Sequence, residues 1–182
     1  MKLDPALRDQ ILSAVPSLRA FAISLSGNVD RADDLVQETM LRALANIHSF
    51  QPGTNMNAWL FTILRNLFRS EYRKRKREVE DTDGTYAEQL KSHPEQLGRI
   101  EFEEFRHALA QLPDEQREAL ILVGASGFSY EEAATICGCA VGTIKSRVNR
   151  ARNRLARLLA VDNVDEFGPD TATRAVLAGN DR

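Results

Sequence analysis

The stretch Ser129–Leu155, SYEEAATICGCAVGTIKSRVNRARNRL, decides the fold. Ser129 and Glu132 stand at the spacing of a capping box, in which the serine oxygen accepts from the N–H three residues on and the glutamate accepts from the serine's own N–H. A short helix therefore starts here. Ala134 is small where two helices must cross closely, and Gly138 supplies the positive φ that a tight helix-to-helix turn demands. After the turn, Ile144, Val148, Ala151 and Leu155 recur at helical spacing and form an inward stripe. The outward positions are Thr143, Lys145, Ser146, Arg147, Asn149, Arg150, Arg152, Asn153, Arg154 and Arg157, with no acid among them. A solvated helix ordinarily mixes signs, because i,i+4 pairs of opposite charge stabilise it by roughly 0.2–0.5 kcal/mol and like pairs oppose it by similar amounts. A one-signed face needs an external anion, and the phosphate-flanked major groove of duplex DNA is the anion that fits a helix-turn-helix.

The formal net charge of −2 over 182 residues hides a strong asymmetry. Arg65, Arg69, Arg73, Lys74, Arg75, Lys76 and Arg77 form a second basic block, set against Glu71 alone. Between the two blocks, Glu78, Glu80, Asp81, Asp83, Glu88, Glu95, Glu101, Glu103 and Glu104 dominate, facing only Lys91, His93 and Arg99. Separated basic surfaces with acid between them indicate a nucleic-acid partner more directly than the sum does.

Working outward, the pattern is helical throughout, and the expected class is all-α. Leu3, Leu7, Ile11, Leu12 and Val15 make a stripe that Leu18, Phe21, Ala22 and Leu25 resume, with a break or kink expected at Pro16. A second helix is expected from Asp30 to Ile47, burying Ala32, Val36, Met40, Ala43 and Ile47 and presenting Asp34, Gln37, Glu38, Leu41 and Arg42. Pro52-Gly53 marks a turn. A third helix starts near Asn55 or Asn57, apolar nearly all round from Met56 to Phe68 and basic beyond, so that a buried anchor holds a basic rod. The periodicity fails from Glu78 to Pro94, a linker candidate. It returns with Leu97, Ile100, Phe105, Ala108, Leu109 and Leu112, and Pro113-Asp114 starts a further helix burying Leu120, Leu122 and Val123. Beyond Val161 the periodicity is weak and a frayed end is expected. The resulting division is 1–78, a linker 79–94, a second domain 95–161 and a tail 162–182. Cys137 and Cys139 flank Gly138 and read as core; no metal site is expected, since His48, His93 and His107 lie far from them. No segment has the length of a membrane span, no secretory signal opens the chain and a cytoplasmic location is expected. No glycine phosphate loop, nucleophile elbow or cluster of His and carboxylates points to an enzyme or to a cofactor.

Two small helical domains, the first closing on an aromatic and basic helix and the second on a basic helix-turn-helix, resemble bacterial sigma factors of the extracytoplasmic-function class. The strings that carry the resemblance are DRADDLVQETMLRALANI, NAWLFTILRN, LPDEQREALIL and GFSYEEAATICGCAVGTIKSRVNRARNRL. Within the class, FQPGTNMNAWLFTILRNLFRSEYRKRKREVED and GCAVGTIKSRVNRAR are most similar to the general stress-response sigma factors of alphaproteobacteria. The resemblance implies a region-two domain, a region-four domain and a set of partners: RNA polymerase core, through the clamp helices of its largest subunit and its flap; promoter DNA; and an anti-sigma protein, displaced by a sigma-like response regulator. It implies a monomer, or a heterodimer with that anti-sigma protein, and no membrane partner.

Carried over by position, the resemblance assigns Asp33, Asp34, Gln37, Glu38 and Leu41 to polymerase. It assigns Phe50, Asn55, Asn57, Arg65, Asn66, Arg69, Tyr72, Arg73 and Lys74 to melting the minus-ten element and holding its non-template strand. Trp59 belongs to the same helix, although plain core packing is the preferred reading for it and for Phe68. Thr143, Lys145, Ser146, Arg147, Asn149, Arg150 and Arg154 are assigned to the minus-thirty-five duplex, with Lys145 and Arg147 suited to guanine edges and Arg150 and Arg154 to phosphates. Ala140 departs from the Ser or Thr that an N-cap favours. Two other readings share part of these features: a sigma-like decoy that only sequesters an anti-sigma protein, and a simple regulator using the helix-turn-helix alone. The decoy leaves the basic blocks without a task, and the simple regulator leaves the Asp33 to Leu41 face unused. An acidic linker between two basic surfaces also permits, without requiring, that the chain screens those surfaces itself.

Overall fold

The computed structural model describes residues 4–80 and 97–160. Among them the elements are α1 (Pro5–Ser26), α2 (Val29–Ala45), a 3-10 turn (Ile47–Ser49), α3 (Met56–Glu80), α4 (Leu97–Ala110), α5 (Asp114–Gly124), α6 (Tyr130–Cys137) and α7 (Val141–Leu158). The weakly periodic tail and most of the acidic linker candidate fall outside the described residues.

The first three helices form one unit. The Asp4 carboxylate caps α1, Pro5 occupies its first turn and Gly27, at φ +67°, ends it. The Asn28 side chain then accepts from the Arg31 backbone N–H and opens α2, so the short connection folds α2 back along α1. The break expected at Pro16 is absent: α1 runs unbroken through it. Pro16 and Leu12, whose carbonyl loses its partner N–H, both lie on the exposed side, where water replaces the bond. Ala14, Leu18 and Phe21, fully buried on either side of it, hold both arms against the same core. In α2 the buried set is Ala32, Leu35, Val36, Thr39 and Ala43. Met40 is only half-buried, and Ile47 is buried from the 3-10 turn beyond the helix. In α3, Leu60, Phe61 and Leu64 are fully enclosed, and the helix continues two residues past Glu78.

In the second unit α5 packs on α7 and α6 on α7. Leu120 and Leu122 of α5 are buried as expected, but Val123 is half-buried and Glu118 lies within the buried face. The capping box is formed in full: the Glu132 N–H donates to Ser129 Oγ at 3.1 Å and the Ser129 N–H donates to Glu132 Oε2 at 2.9 Å. Gly138 ends α6 at φ +62°. Ile144, Val148, Ala151 and Leu155 form the buried stripe of α7, joined by Ala156.

The two units pack against each other through α3 on α6 and α1 on α5. Phe21 stacks on Phe61 with centroids 4.9 Å apart, and Phe61 meets the edge of Phe128, also at 4.9 Å. One buried cluster therefore runs through both halves.

Candidate nucleic-acid interface

The second helix of the motif, α7, presents Lys145, Ser146, Asn149, Arg150 and Arg154 to solvent, with Thr143 half-buried in its first turn. The first turn lacks a side-chain cap, because Ala140 offers no oxygen. Lys145 lies over the Tyr130 ring of α6, 5.7 Å from its centroid, which ties the second helix of the motif to the first. Arg147 breaks the expected pattern. Its guanidinium is largely covered, donating to Glu115 of α5 and approaching Cys139 Sγ at 3.7 Å. The basic face thus holds an internal anion at this one position. Cys137 is buried, and burial, with a smaller push from the Glu118 charge, raises its thiol to about 12. It stays protonated at neutral pH and packs as a small apolar group. Cys139 is half-buried at the turn.

On α3 the side chains assigned to the opened strand divide. Asn57, Asn66, Tyr72, Arg73 and Lys74 are exposed, and Arg69 is partly so. Phe50 is not on the surface: it is 7 % exposed and packs on Trp59 with centroids 5.4 Å apart. A large aromatic ring at the start of the Pro52-Gly53 loop is held more favourably under the loop than in water. Arg65 is buried as well. Its Nε donates to Glu118 Oε1 at 2.6 Å and its Nη2 to Glu118 Oε2 at 3.3 Å, a forked pair with both side chains about 95 % enclosed. Arg69 donates to the same carboxylate at 3.2 Å and lies 3.8 Å from Glu115. Asn55 donates to Glu132 Oε1 at 2.6 Å, the carboxylate whose other oxygen caps α6.

On α2, Asp34, Gln37 and Leu41 share an exposed face, and Leu44 extends it with a second exposed apolar side chain. Glu38 is held by Arg42 at 2.8 Å. Asp33 turns toward α1, where a forked hydrogen bond from Arg19 at 2.6 Å, aided by its charge, holds the carboxyl below the usual carboxylate range. The residues overlooked in the sequence are Glu115, Glu118 and Leu44. Glu118 had a signal: it lies four residues before Leu122, so an acid stood on an apolar stripe.

The Sigma-70 region 2 family matches residues 11–78, and the Sigma-70, region 4 family matches residues 102–155. The chain is 75% identical over 180 residues to the ECF RNA polymerase sigma factor EcfG of Rhodopseudomonas palustris, covering 99% of each chain. The chain belongs to the extracytoplasmic-function RNA polymerase sigma factors. Its fold is similar to that of the sigma factor RpoE crystallised with the anti-sigma factor NepR from Bartonella quintana, with a TM-score of 0.81 and 57% identity over 88% of this chain and 100% of that one. It is also similar to CnrH in complex with the cytosolic domain of CnrY, with a TM-score of 0.66 and 27% identity over 87% and 90% of the two chains. In this sigma factor region 2 spans α1 to α3, and region 4 spans nearly all of α4 to α7.

Proposed function

We propose that this sigma factor is a non-catalytic specificity subunit that directs RNA polymerase core to stress-response promoters from the cytoplasm. Region 2 reads the minus-ten element as a single strand and region 4 the minus-thirty-five element as duplex. The observation that carries the reading is the pairing, in one chain, of a buried-then-basic α3 with a helix-turn-helix whose outward face is basic. Extracting bases from the duplex costs a few kcal/mol of stacking, and the Asn57, Asn66, Tyr72, Arg73 and Lys74 side of α3 offers polar contacts, a stacking ring and cations to offset it. Asn55, Arg65 and Arg69 join that surface when released from their glutamates. On α7, Lys145 and Arg147 suit guanine edges, Arg150 and Arg154 suit phosphates, and Thr143, Ser146 and Asn149 complete the base-facing row. The exposed Asp34, Gln37, Glu38, Leu41 and Leu44 face, bordered by Asp33, suits a basic helical surface of polymerase, with an apolar centre to anchor it. An anti-sigma protein holds the factor inactive, as the NepR complex of the similar RpoE supports.

Purified protein added to core polymerase should yield promoter-dependent transcripts in vitro, and activity from residues 95–161 alone would favour a simple helix-turn-helix regulator instead. Asp34→Lys with Glu38→Lys should weaken core binding about tenfold or more while leaving binding of a minus-thirty-five duplex intact. Equal loss of both would remove the assignment of the α2 face.

A further inference from the structure

Five charged side chains form a chain across the joint between the two regions: Arg65 to Glu118, Glu118 to Arg69, Arg69 to Glu115 and Glu115 to Arg147. Two carboxylates of α5 thus engage cations drawn from both nucleic-acid surfaces at once. Arginine takes a carboxylate and a phosphate in the same forked geometry, so these glutamates offer the arginines the kind of ligand that a DNA phosphate offers. Asn55 on Glu132 repeats the arrangement with a neutral donor.

A desolvated ion pair stabilises a fold little more than apolar side chains of the same shape would, and the best-attested use of such pairs is in register and switching. The Arg65–Glu118 pair fits that use, because both partners return to water, or to DNA, when the regions part. The regions must part to work. The two promoter elements are about 25 base pairs apart, ~85 Å along a duplex, whereas a compact chain of 182 residues has a radius of gyration of only about 16 Å. A cleft of about 500 Å³ beside the clasp, lined by Asn66, Arg69, Tyr72, Arg73 and Glu115, admits a competing strand to its edge.

Resting on the promoter reading above, we propose that Glu115 and Glu118 are an internal phosphate substitute that clasps the free sigma factor shut. The screening anions therefore sit on α5, in the middle of region 4. Removing Glu118 leaves the Arg65 charge buried without a partner, so the closed state is lost. Removing Glu115 frees Arg147 and one contact of Arg69 and loosens it.

The test uses the full chain, a fluorescent twenty-nucleotide oligo-dT as probe, and small-angle scattering. Glu118→Gln should raise the radius of gyration above wild type and tighten oligo-dT binding about tenfold or more. Glu115→Gln touches an exposed carboxylate that no core depends on, and should tighten binding about threefold, which keeps the test decisive if Glu118→Gln does not fold. Replacing the pair together, Arg65→Met with Glu118→Leu, should restore the compact radius without tightening the strand. Unchanged radius and affinity in the glutamine variants, with transcripts still made on core polymerase, overturns the clasp and leaves the promoter function standing. Open variants that bind the strand tightly but make no transcripts support the clasp and sink the promoter function.

Discussion

Arg147 and Arg154 lie two turns apart on α7 and differ in everything but charge. Arg147 is covered and held by Glu115, whereas Arg154 is exposed. A guanidinium that meets a base edge discriminates between sequences; one that meets a phosphate adds attraction without direction. Arg147→Ala should relax discrimination at one position of the minus-thirty-five element by roughly 1–3 kcal/mol, and Arg154→Ala should lower affinity equally across sequences and flatten the salt slope by about one. Titrations against a panel of single-base variants at several salt concentrations check this, and identical behaviour of the two variants would undo the division. At this scale the sequence was legible wherever chemistry is local. The capping box and the positive φ of Gly138 depend on residues within a few positions of each other. Phe50 and Arg65 were assigned to the strand-holding surface by their position in the resemblance, but the Trp59 ring and the Glu118 carboxylate that cover them come from further along the chain.

Among the elements, α7 combines a well-buried stripe with an open first turn. Ile144 and Val148 are essentially inaccessible, yet no side chain accepts from the N–H groups that start the helix. Ala140→Ser supplies that acceptor in a backbone already extended, at φ −69° and ψ 148°. It should stabilise region 4 by about 1 kcal/mol, read as an upward shift of the urea midpoint with unchanged m-value. No change would mean that solvent already serves those donors equally well. The helices themselves were legible from their stripes and caps, with ends displaced by one or two residues. Pro16 does not break the helix, although the lost hydrogen bond alone would favour a break. Its exposed position and the buried residues on both sides, which decide whether the helix survives, belong to the packed molecule.

In the molecule as a whole, Phe21, Phe61 and Phe128 link regions 2 and 4 through one aromatic run. The two regions should therefore melt together in calorimetry. Phe128→Ala, which removes a buried ring at a cost of about 3–5 kcal/mol, should separate the melt into two transitions. A single transition at an unchanged temperature would show that the regions are not coupled through this ring. Two domains and their order were legible beforehand, since each carries its own stripes and caps. Their mutual packing left only the trace of Glu118 on an apolar stripe, because pairing between residues some fifty positions apart obeys no period.

The carboxylates on α5 also bear on how such a subunit travels. A bacterial interior is crowded with ribosomes and chromosome, polyanions that retain any protein with bare arginine-rich patches. By carrying counterions for Arg65, Arg69 and Arg147 at Glu115 and Glu118, the unengaged molecule offers those polyanions fewer cations, and Arg73, Lys74, Arg150 and Arg154 remain as a residual, salt-sensitive attraction.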